Sequence, residues 1–229
     1  MENTRQTPEP PVCKAVRAVG VIQPKFSPKK GGVFADHLDV KGTAFWLKDY
    51  QFLVTSAHVV ERFVAQTIDV TGLLVVGNRE GEYVRASVSL VDFDHDLAVL
   101  RLRDVPREFL EREYGNGLEV ADHYLSVGHP VGYAGYPLGT QLLKSNHYPT
   151  YMEGVIGSQL RQEGLRKQIQ ITGPVAGGFS GAPVVDSSNP TKVLGVLSRS
   201  PSKEAGDANI FMAISWEHIK AVAELEKSG

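Results

Sequence analysis

Three separate segments of the chain carry side chains of the types that acyl-transfer chemistry requires. In the first, LVTSAHVV, His58 follows a strand-like run of apolar and β-branched residues. In the second, DFDHDLAVL, Asp96 stands immediately before an apolar run typical of a buried strand. In the third, GPVAGGFSGAPVV, glycines flank Ser180. A histidine base, a carboxylate that orients it and a serine nucleophile are the parts of a covalent hydrolytic mechanism.

The glycines around Ser180 are informative because an attacked carbonyl group becomes negatively charged. Backbone N–H groups that converge on one point stabilise that charge, and glycine adopts the backbone angles that such convergence needs. Taken alone, each segment is also typical of ordinary structure: a packed histidine, a solvated acidic turn and a glycine-rich turn. Asp92 and Asp94 belong to the same acidic run as Asp96, and both remain alternatives to it as the partner of His58.

The elements that position these residues are predicted to be short strands. Glycine and proline are spread along the chain, and β-branched and aromatic runs recur between them, which favours an all-β fold. A helical turn is predicted at 57–63 and a closing helix at 216–227, with Ser215 as its cap. Strands are predicted at 15–23, 42–48, 51–56, 73–76, 83–91, 97–102, 124–127, 154–160, 168–172, 182–185, 193–197 and 210–214.

A polar stretch divides these strands into two halves. Residues 104–122 are rich in charged and polar side chains and are interpreted as a linker. The predicted organisation is a flexible tail at 1–12, a first half at 13–103, the linker, and a second half with the closing helix at 123–229.

Composition and charge exclude several functional classes. The 229 residues are 42% hydrophobic and 22% charged, with a formal net charge of −2, so no basic surface is predicted for nucleic acid or anionic lipid. One cysteine, Cys13, forms no internal disulfide, and no membrane-length apolar run or apolar signal core is present. A cytoplasmic protein is predicted. The histidines form no HExxH pair or Cys/His cluster, so no metal or other cofactor is expected.

The chain order His58, Asp96, Ser180 resembles that of the trypsin-like serine proteases, in particular the disulfide-free bacterial branch of the HtrA (Deg) kind. Further stretches are similar to that branch: GTAF at 42–45, GYPLG at 135–139, EGVIG at 153–157 and LGVLS at 194–198. The likeness runs from about residue 15 to residue 226, and no PDZ-like segment follows Glu226. The resemblance implies two six-stranded antiparallel β-barrels, a C-terminal α-helix, and an active site in the cleft between the barrels.

The resemblance also implies a role for each residue. His58 and Asp96 would come from the first barrel, as the base and the acid that orients it. Ser180 would come from the second barrel as the nucleophile, and the backbone N–H groups of Gly178 and Ser180 would form the oxyanion hole. The expected substrate is a protein or peptide, with no cofactor, nucleic acid or membrane involved.

The substrate pocket is expected, on the same basis, to include Pro174, Ser198, Arg199, Ser200 and Asn209. Pro174 stands where trypsin has its pocket-base aspartate, so cleavage after lysine or arginine is not expected. Leu197 stands where relatives selective for glutamate or glutamine have a histidine, which argues against those residues too. A small or medium apolar residue before the scissile bond is the remaining expectation.

Phe179 departs from the pattern of the digestive relatives. Those enzymes carry an aspartate before the serine, and it pairs with a new N-terminus that cleavage releases. Phenylalanine makes no such ion pair, so activation by trimming is not expected. A latent enzyme is predicted instead, in which an activating protein partner orders the loops at 27–40, 141–152 and 199–208.

Two other interpretations of the sequence are open. The stretch GFSGA nearly fits the G-x-S-x-G elbow of α/β-hydrolases, but residues 183–185 are strand-like where that elbow needs a helix. The alternative from another class is a protease fold kept as a catalytically silent binding or regulatory module.

Overall fold

The computed structural model of the protein describes most of the chain. The loops predicted to be ordered by a partner lie partly or, for 199–208, wholly outside the described part. The described residues are 9–27, 33–64, 73–77, 83–114, 117–139, 148–160, 168–198 and 210–228.

Short strands make up most of the described elements, and four helices accompany them in that part of the chain. The helices are α1 (Pro11–Ala15), α2 (Ala57–Val64), α3 (Arg107–Tyr114) and α4 (Trp216–Ser228). The strands are β1 (Val16–Ser27), β2 (Val33–Leu47), β3 (Phe52–Thr55), β4 (Leu73–Gly77), β5 (Tyr83–Asp92), β6 (Leu97–Leu102), β7 (Glu119–Val120), β8 (Pro130–Gly135), β9 (Thr150–Leu160), β10 (Gln168–Thr172), β11 (Pro183–Asp186), β12 (Asn189–Leu197) and β13 (Ile210–Ser215).

The strands close into two antiparallel barrels. The first has the order β1-β2-β3-β6-β5-β4, and the second has the order β11-β8-β9-β10-β13-β12 with β11 paired to β12. β7 adds to the second sheet as a parallel neighbour of β12. The predicted all-β fold of two six-stranded barrels with a C-terminal helix is confirmed.

Strand β6 shows how the first barrel packs on two sides. Ala98 and Leu100 belong to the apolar cluster inside the first barrel. Leu97 and Val99 alternate with them along the strand, and they join the cluster that lies between the barrels. An uninterrupted apolar run is therefore required here, because both faces of the strand are buried.

Helix α4 packs on this region between the barrels. Its N-terminus is capped as predicted, because the Ser215 hydroxyl accepts a hydrogen bond from the Glu217 N–H at 3.4 Å. Ile219, Val222 and Ala223 are buried on one face and join the cluster between the barrels. The helix thereby connects the end of the second barrel to the first.

Several boundaries differ from the prediction. The stretch 27–40, predicted as a loop, belongs partly to strands, because β1 runs to Ser27 and β2 begins at Val33. Residues 124–127 form no strand, and β8 lies shortly after them, where its backbone pairs with β9 and β11. Val12, assigned to the flexible tail, is fully buried in α1, so the folded body begins before residue 13. The predicted linker at 104–122 contains α3 and β7, and Phe109 and Leu110 of α3 pack against the interior of the first barrel.

Candidate active site

His58 and Asp96 are brought together by the start of α2. Strand β3 ends at Thr55 and α2 begins at Ala57, so the first N–H groups of the helix have no partner within it. Asp96 supplies partners for them: its backbone oxygen accepts from the Ala57 N–H at 3.0 Å, and its Oδ1 accepts from the His58 N–H at 2.9 Å. The same carboxylate meets the His58 ring, with Nδ1 2.8 Å from Oδ2 and 3.0 Å from Oδ1.

The ionisation of Asp96 is set by competing effects. Burial on its own raises the pKa of Asp96, but hydrogen bonds from the His58 ring, Ser198 and the His58 backbone N–H outweigh it and lower the pKa below its ordinary value. Asp96 is therefore a carboxylate at neutral pH. Because folding lowers this pKa, the ionised group stabilises the fold above the ordinary carboxyl range, and that contribution is lost as pH falls through the lowered pKa.

The other two acids of the run lie elsewhere. Asp92 pairs with His95 instead, with its Oδ2 2.6 Å from His95 Nδ1 and its Oδ1 accepting from the His95 N–H at 3.1 Å. Asp94 is exposed. Of the three candidates, Asp96 is the one that contacts His58.

Ser180 follows a tight glycine turn. Gly178 has a φ of +100°, and a Cβ there would lie 2.1 Å from the Tyr136 carbonyl oxygen, so this position requires glycine. The preceding carbonyl, that of Gly177, accepts a hydrogen bond from the Leu138 N–H at 2.6 Å. Phe179 is fully buried and packs edge-on against Tyr133, with ring centroids 5.6 Å apart. Apolar packing therefore anchors the residue before Ser180.

The serine turn rests on the first barrel beside the histidine segment. Thr43 of β2 donates its N–H to the Ser180 carbonyl oxygen at 2.8 Å. A Cβ at Gly181 would lie 3.0 Å from the Ser56 backbone nitrogen, and the Ser56 hydroxyl donates to the Leu197 carbonyl oxygen at 3.0 Å. Ser56 is two residues before His58. The segments that carry His58 and Ser180 are therefore packed backbone against backbone.

Comparison with known proteins identifies the family. Residues 42–196, more than half of the chain, match the family model of the trypsin-like peptidase domain. The chain belongs to this trypsin-like peptidase family. A curated relative from Chlamydia pneumoniae, a probable periplasmic serine endoprotease of DegP-like type, is 27% identical over 179 residues. The match covers 76% of this chain and 32% of the relative, so the chain spans about a third of that relative's length.

Two solved structures share the fold of this chain. The HtrA-type protease AlgW, solved with a decapeptide, has a TM-score of 0.71 at 19% identity, over 94% of this chain and 65% of AlgW. A protease from M. tuberculosis in its active form has a TM-score of 0.64 at 19% identity, over 97% of this chain and 92% of that one. The resemblance to the trypsin-like and HtrA-type proteases is confirmed.

The predicted substrate pocket is described only in part. Pro174 is exposed, and its carbonyl oxygen accepts a hydrogen bond from the Tyr133 hydroxyl at 2.7 Å. Burial raises the pKa of Tyr133 to about 12, so this hydroxyl remains a donor at neutral pH. Arg199, Ser200 and Asn209 lie outside the described residues.

Ser198 has a contact that the sequence did not indicate. It is predicted as a pocket residue, and its hydroxyl also donates to Asp96 Oδ2 at 2.5 Å. This bond joins the end of β12 in the second barrel to the acid of the first. No sequence pattern near Ser198 or Asp96 predicts this hydrogen bond, because the two residues are far apart in the chain and come into contact only when both barrels are assembled.

Two further statements apply to the described residues. Within them, no three His, Cys, Asp or Glu side chains are arranged to hold a metal ion. No helix in the described ranges has the length and apolar character to cross a membrane.

Proposed function

We propose that the protein is a serine endopeptidase that cleaves peptide bonds through a His58–Asp96–Ser180 triad and an acyl-enzyme. The observation that carries the proposal is the hydrogen bond from His58 Nδ1 to the Asp96 carboxylate, whose two oxygens lie 2.8 and 3.0 Å away, beside the glycine turn that carries Ser180. Membership of the trypsin-like peptidase family supports the same chemistry.

Each residue has a defined part in the proposed reaction. Ser180 Oγ attacks the scissile carbonyl carbon while His58 Nε2 takes the serine proton. His58 then gives that proton to the leaving amine, and water deacylates the enzyme by the same route. Asp96, ionised because of its lowered pKa, holds the Nδ1–H tautomer and stabilises the imidazolium that forms.

The backbone of Gly178 supports the proposed oxyanion hole. In a trans peptide the C=O and N–H groups point in opposite directions. The Gly177 oxygen points to the Leu138 N–H at 2.6 Å, so the Gly178 N–H points away from Leu138. The Gly178 N–H is therefore not directed at the segment around Leu138. We propose that it stabilises the developing oxyanion together with the Ser180 N–H.

The proposal also includes a peptide substrate and regulation by a protein partner. A peptide substrate agrees with the HtrA-type neighbour that was solved with a decapeptide. An apolar residue before the scissile bond, latency and an activating partner remain predictions. The predicted cytoplasmic location also remains a prediction, since the curated relative is named as periplasmic.

The deciding experiment is labelling with a fluorophosphonate, which reacts with a serine that has both its base and its oxyanion hole. Intact mass is measured for wild type and for Ser180→Ala. One adduct on wild type and none on Ser180→Ala would support the proposed triad and oxyanion hole. No adduct on wild type, with the fold intact by circular dichroism, would favour the latent enzyme or the silent binding module.

A second step separates those two outcomes. If candidate partner proteins restore labelling, the enzyme is latent. If none does, and Ser180→Ala retains the biological function in cells, the proposed catalysis is wrong. Rapid labelling of the isolated protein would instead overturn the predicted latency.

A further inference from the structure

Tyr133 contacts both ends of the loop that precedes Ser180. This loop, residues 173–179, runs from the end of β10 to the turn that carries the serine. Near its start, the Pro174 carbonyl oxygen accepts a hydrogen bond from the Tyr133 hydroxyl at 2.7 Å. At its end, the Phe179 ring packs edge-on against the Tyr133 ring, with centroids 5.6 Å apart. One side chain of β8 therefore holds the loop at two separate points.

Tyr133 is itself held in a fixed position. Its side chain is fully buried and belongs to the apolar cluster inside the second barrel. Strand β8 is paired on both sides, so that Tyr133 lies opposite Met152 of β9 and Val184 of β11. A tyrosine side chain has only two rotatable bonds, so a fixed backbone and a packed ring also fix the hydroxyl. The loop is therefore placed against a rigid point.

The first part of the loop lies directly against this hydroxyl. A Cβ at Gly173 would lie 2.7 Å from the Tyr133 hydroxyl oxygen, so the backbone runs in contact with it. The later part of the loop has a backbone hydrogen bond to another segment, from the Leu138 N–H to the Gly177 carbonyl oxygen at 2.6 Å. The Tyr133 hydroxyl therefore acts mainly on the first part of the loop, around Pro174.

We infer that Tyr133 is a positioning residue that controls the two ends of this loop separately. Its hydroxyl fixes the Pro174 end, where the residue before the scissile bond is expected to bind. Its ring fixes the Phe179 end, which leads into Ser180. The hydroxyl therefore determines substrate binding, and the ring determines the placement of the nucleophile. The inference rests on the proposed peptidase function and on the predicted place of Pro174 in the substrate pocket.

Two conservative substitutions separate these contacts. Tyr133→Phe keeps the ring and removes the hydroxyl, whereas Phe179→Leu keeps an apolar side chain and removes the contact between the rings. KM and kcat are measured with a peptide that the enzyme cleaves, found by mass spectrometry of a digested proteome-derived peptide library. We expect Tyr133→Phe to raise KM about fivefold, the scale of one lost hydrogen bond, and to keep the wild-type kcat and rate of fluorophosphonate labelling. Phe179→Leu should instead slow the labelling of Ser180.

Tyr50→Phe is the matched control. It also removes one tyrosine hydroxyl that donates a hydrogen bond, in this case to Glu224 Oε1 of α4 at 2.7 Å. This variant should change neither KM nor the labelling rate. An unchanged KM in Tyr133→Phe, or equal losses of peptide turnover and of labelling, would overturn the inference while labelling of wild type still supported the peptidase.

Crystal structures of wild type and Tyr133→Phe test the positioning without any need for activity. We expect the backbone at Pro174 to be displaced in the variant, with Phe179 and Ser180 in their wild-type positions. Identical loops in the two structures would overturn the inference even for a latent enzyme. If Ser180 reacted neither alone nor with candidate partner proteins, the proposed function would be wrong, and Tyr133 would position no reacting group.

Discussion

At the scale of single residues, two neighbouring glycines in the serine turn meet very different surroundings. A Cβ at Gly178 would lie 2.1 Å from the Tyr136 carbonyl oxygen, and φ is +100°. A Cβ at Gly177 would have no atom within 4 Å, and its φ lies outside the left-handed region. Gly128 combines a φ of +85° with open space. Alanine substitutions at these three positions would therefore distinguish the cost of backbone strain from the cost of a steric clash.

Alanine substitution at these three glycines should give a graded series. Gly177→Ala should change the free energy of unfolding by less than about 0.5 kcal/mol, and Gly128→Ala should lower it by about 1–2 kcal/mol through strain. Gly178→Ala should lower it by about 3 kcal/mol or more, because clash adds to strain. Urea unfolding measures all three. Equal losses for Gly177→Ala and Gly178→Ala would show that the turn is not held as described.

The types and order of His58, Asp96 and Ser180 indicate the candidate site from the sequence, but they do not indicate every contact that these residues make. Among the three acids of one run, the sequence favours Asp96 because the apolar strand begins directly after it, and the backbone of Asp96 explains its contact with His58. Its φ of +53° turns the chain so that the carboxylate faces the start of α2. The bond from Ser198 to Asp96 was missed, since it forms only across the two barrels.

At the scale of elements, the sequence predicts strands that have a strong hydrophobic pattern. It does not predict strands that are specified mainly by pairing with neighbouring strands. The bounds of β6 and β10 agree with the prediction because each is an apolar or alternating run between polar residues. The strand predicted at 124–127 is absent, and its Val127 is 62% exposed. Strand β8 was missed because its glycines and proline weaken the local signal, while its pairing with β9 and β11 specifies it.

Helix α4 is held on the first barrel by a carboxylate as well as by apolar packing. Glu226 Oε1 accepts hydrogen bonds from Arg101 Nε at 2.5 Å and from the Ser89 hydroxyl at 2.6 Å. The Glu226 side chain is 8% exposed, whereas Arg101 is 48% exposed. Solvent therefore screens the charge of Arg101, whereas the carboxylate of Glu226 is mostly shielded from solvent.

Removing this carboxylate should loosen the end of the helix. Glu226→Ala should lower the free energy of unfolding by about 1–2 kcal/mol, since two charge-assisted bonds are lost at a partly screened site. Lys220→Ala, at an exposed position of the same helix, should change it by less than about 0.5 kcal/mol. Thermal and urea unfolding provide the comparison. Similar small effects for both variants would mean that apolar packing alone holds α4.

At the scale of the whole molecule, the candidate site lies where the barrels meet, and Thr43 lies at that junction. Thr43 is fully buried in β2. Its hydroxyl donates to the Gly178 carbonyl oxygen at 2.8 Å and accepts from the Tyr136 N–H at 3.1 Å. Its own N–H donates to the Ser180 carbonyl oxygen at 2.8 Å. One side chain of the first barrel therefore fixes two backbone groups of the serine turn and its supporting loop.

Thr43→Val keeps the shape of this side chain and removes the hydroxyl, so it should affect both stability and the site. The Gly178 oxygen and the Tyr136 N–H lose a buried partner, which should lower the free energy of unfolding by about 2–4 kcal/mol. Fluorophosphonate labelling of Ser180 should also slow at least tenfold, because Gly178 is no longer held. Thr191→Val removes an exposed hydrogen bond to Asn189 and should alter neither quantity. If Thr43→Val lost stability but labelled at the wild-type rate, Thr43 would join the barrels without positioning the serine turn.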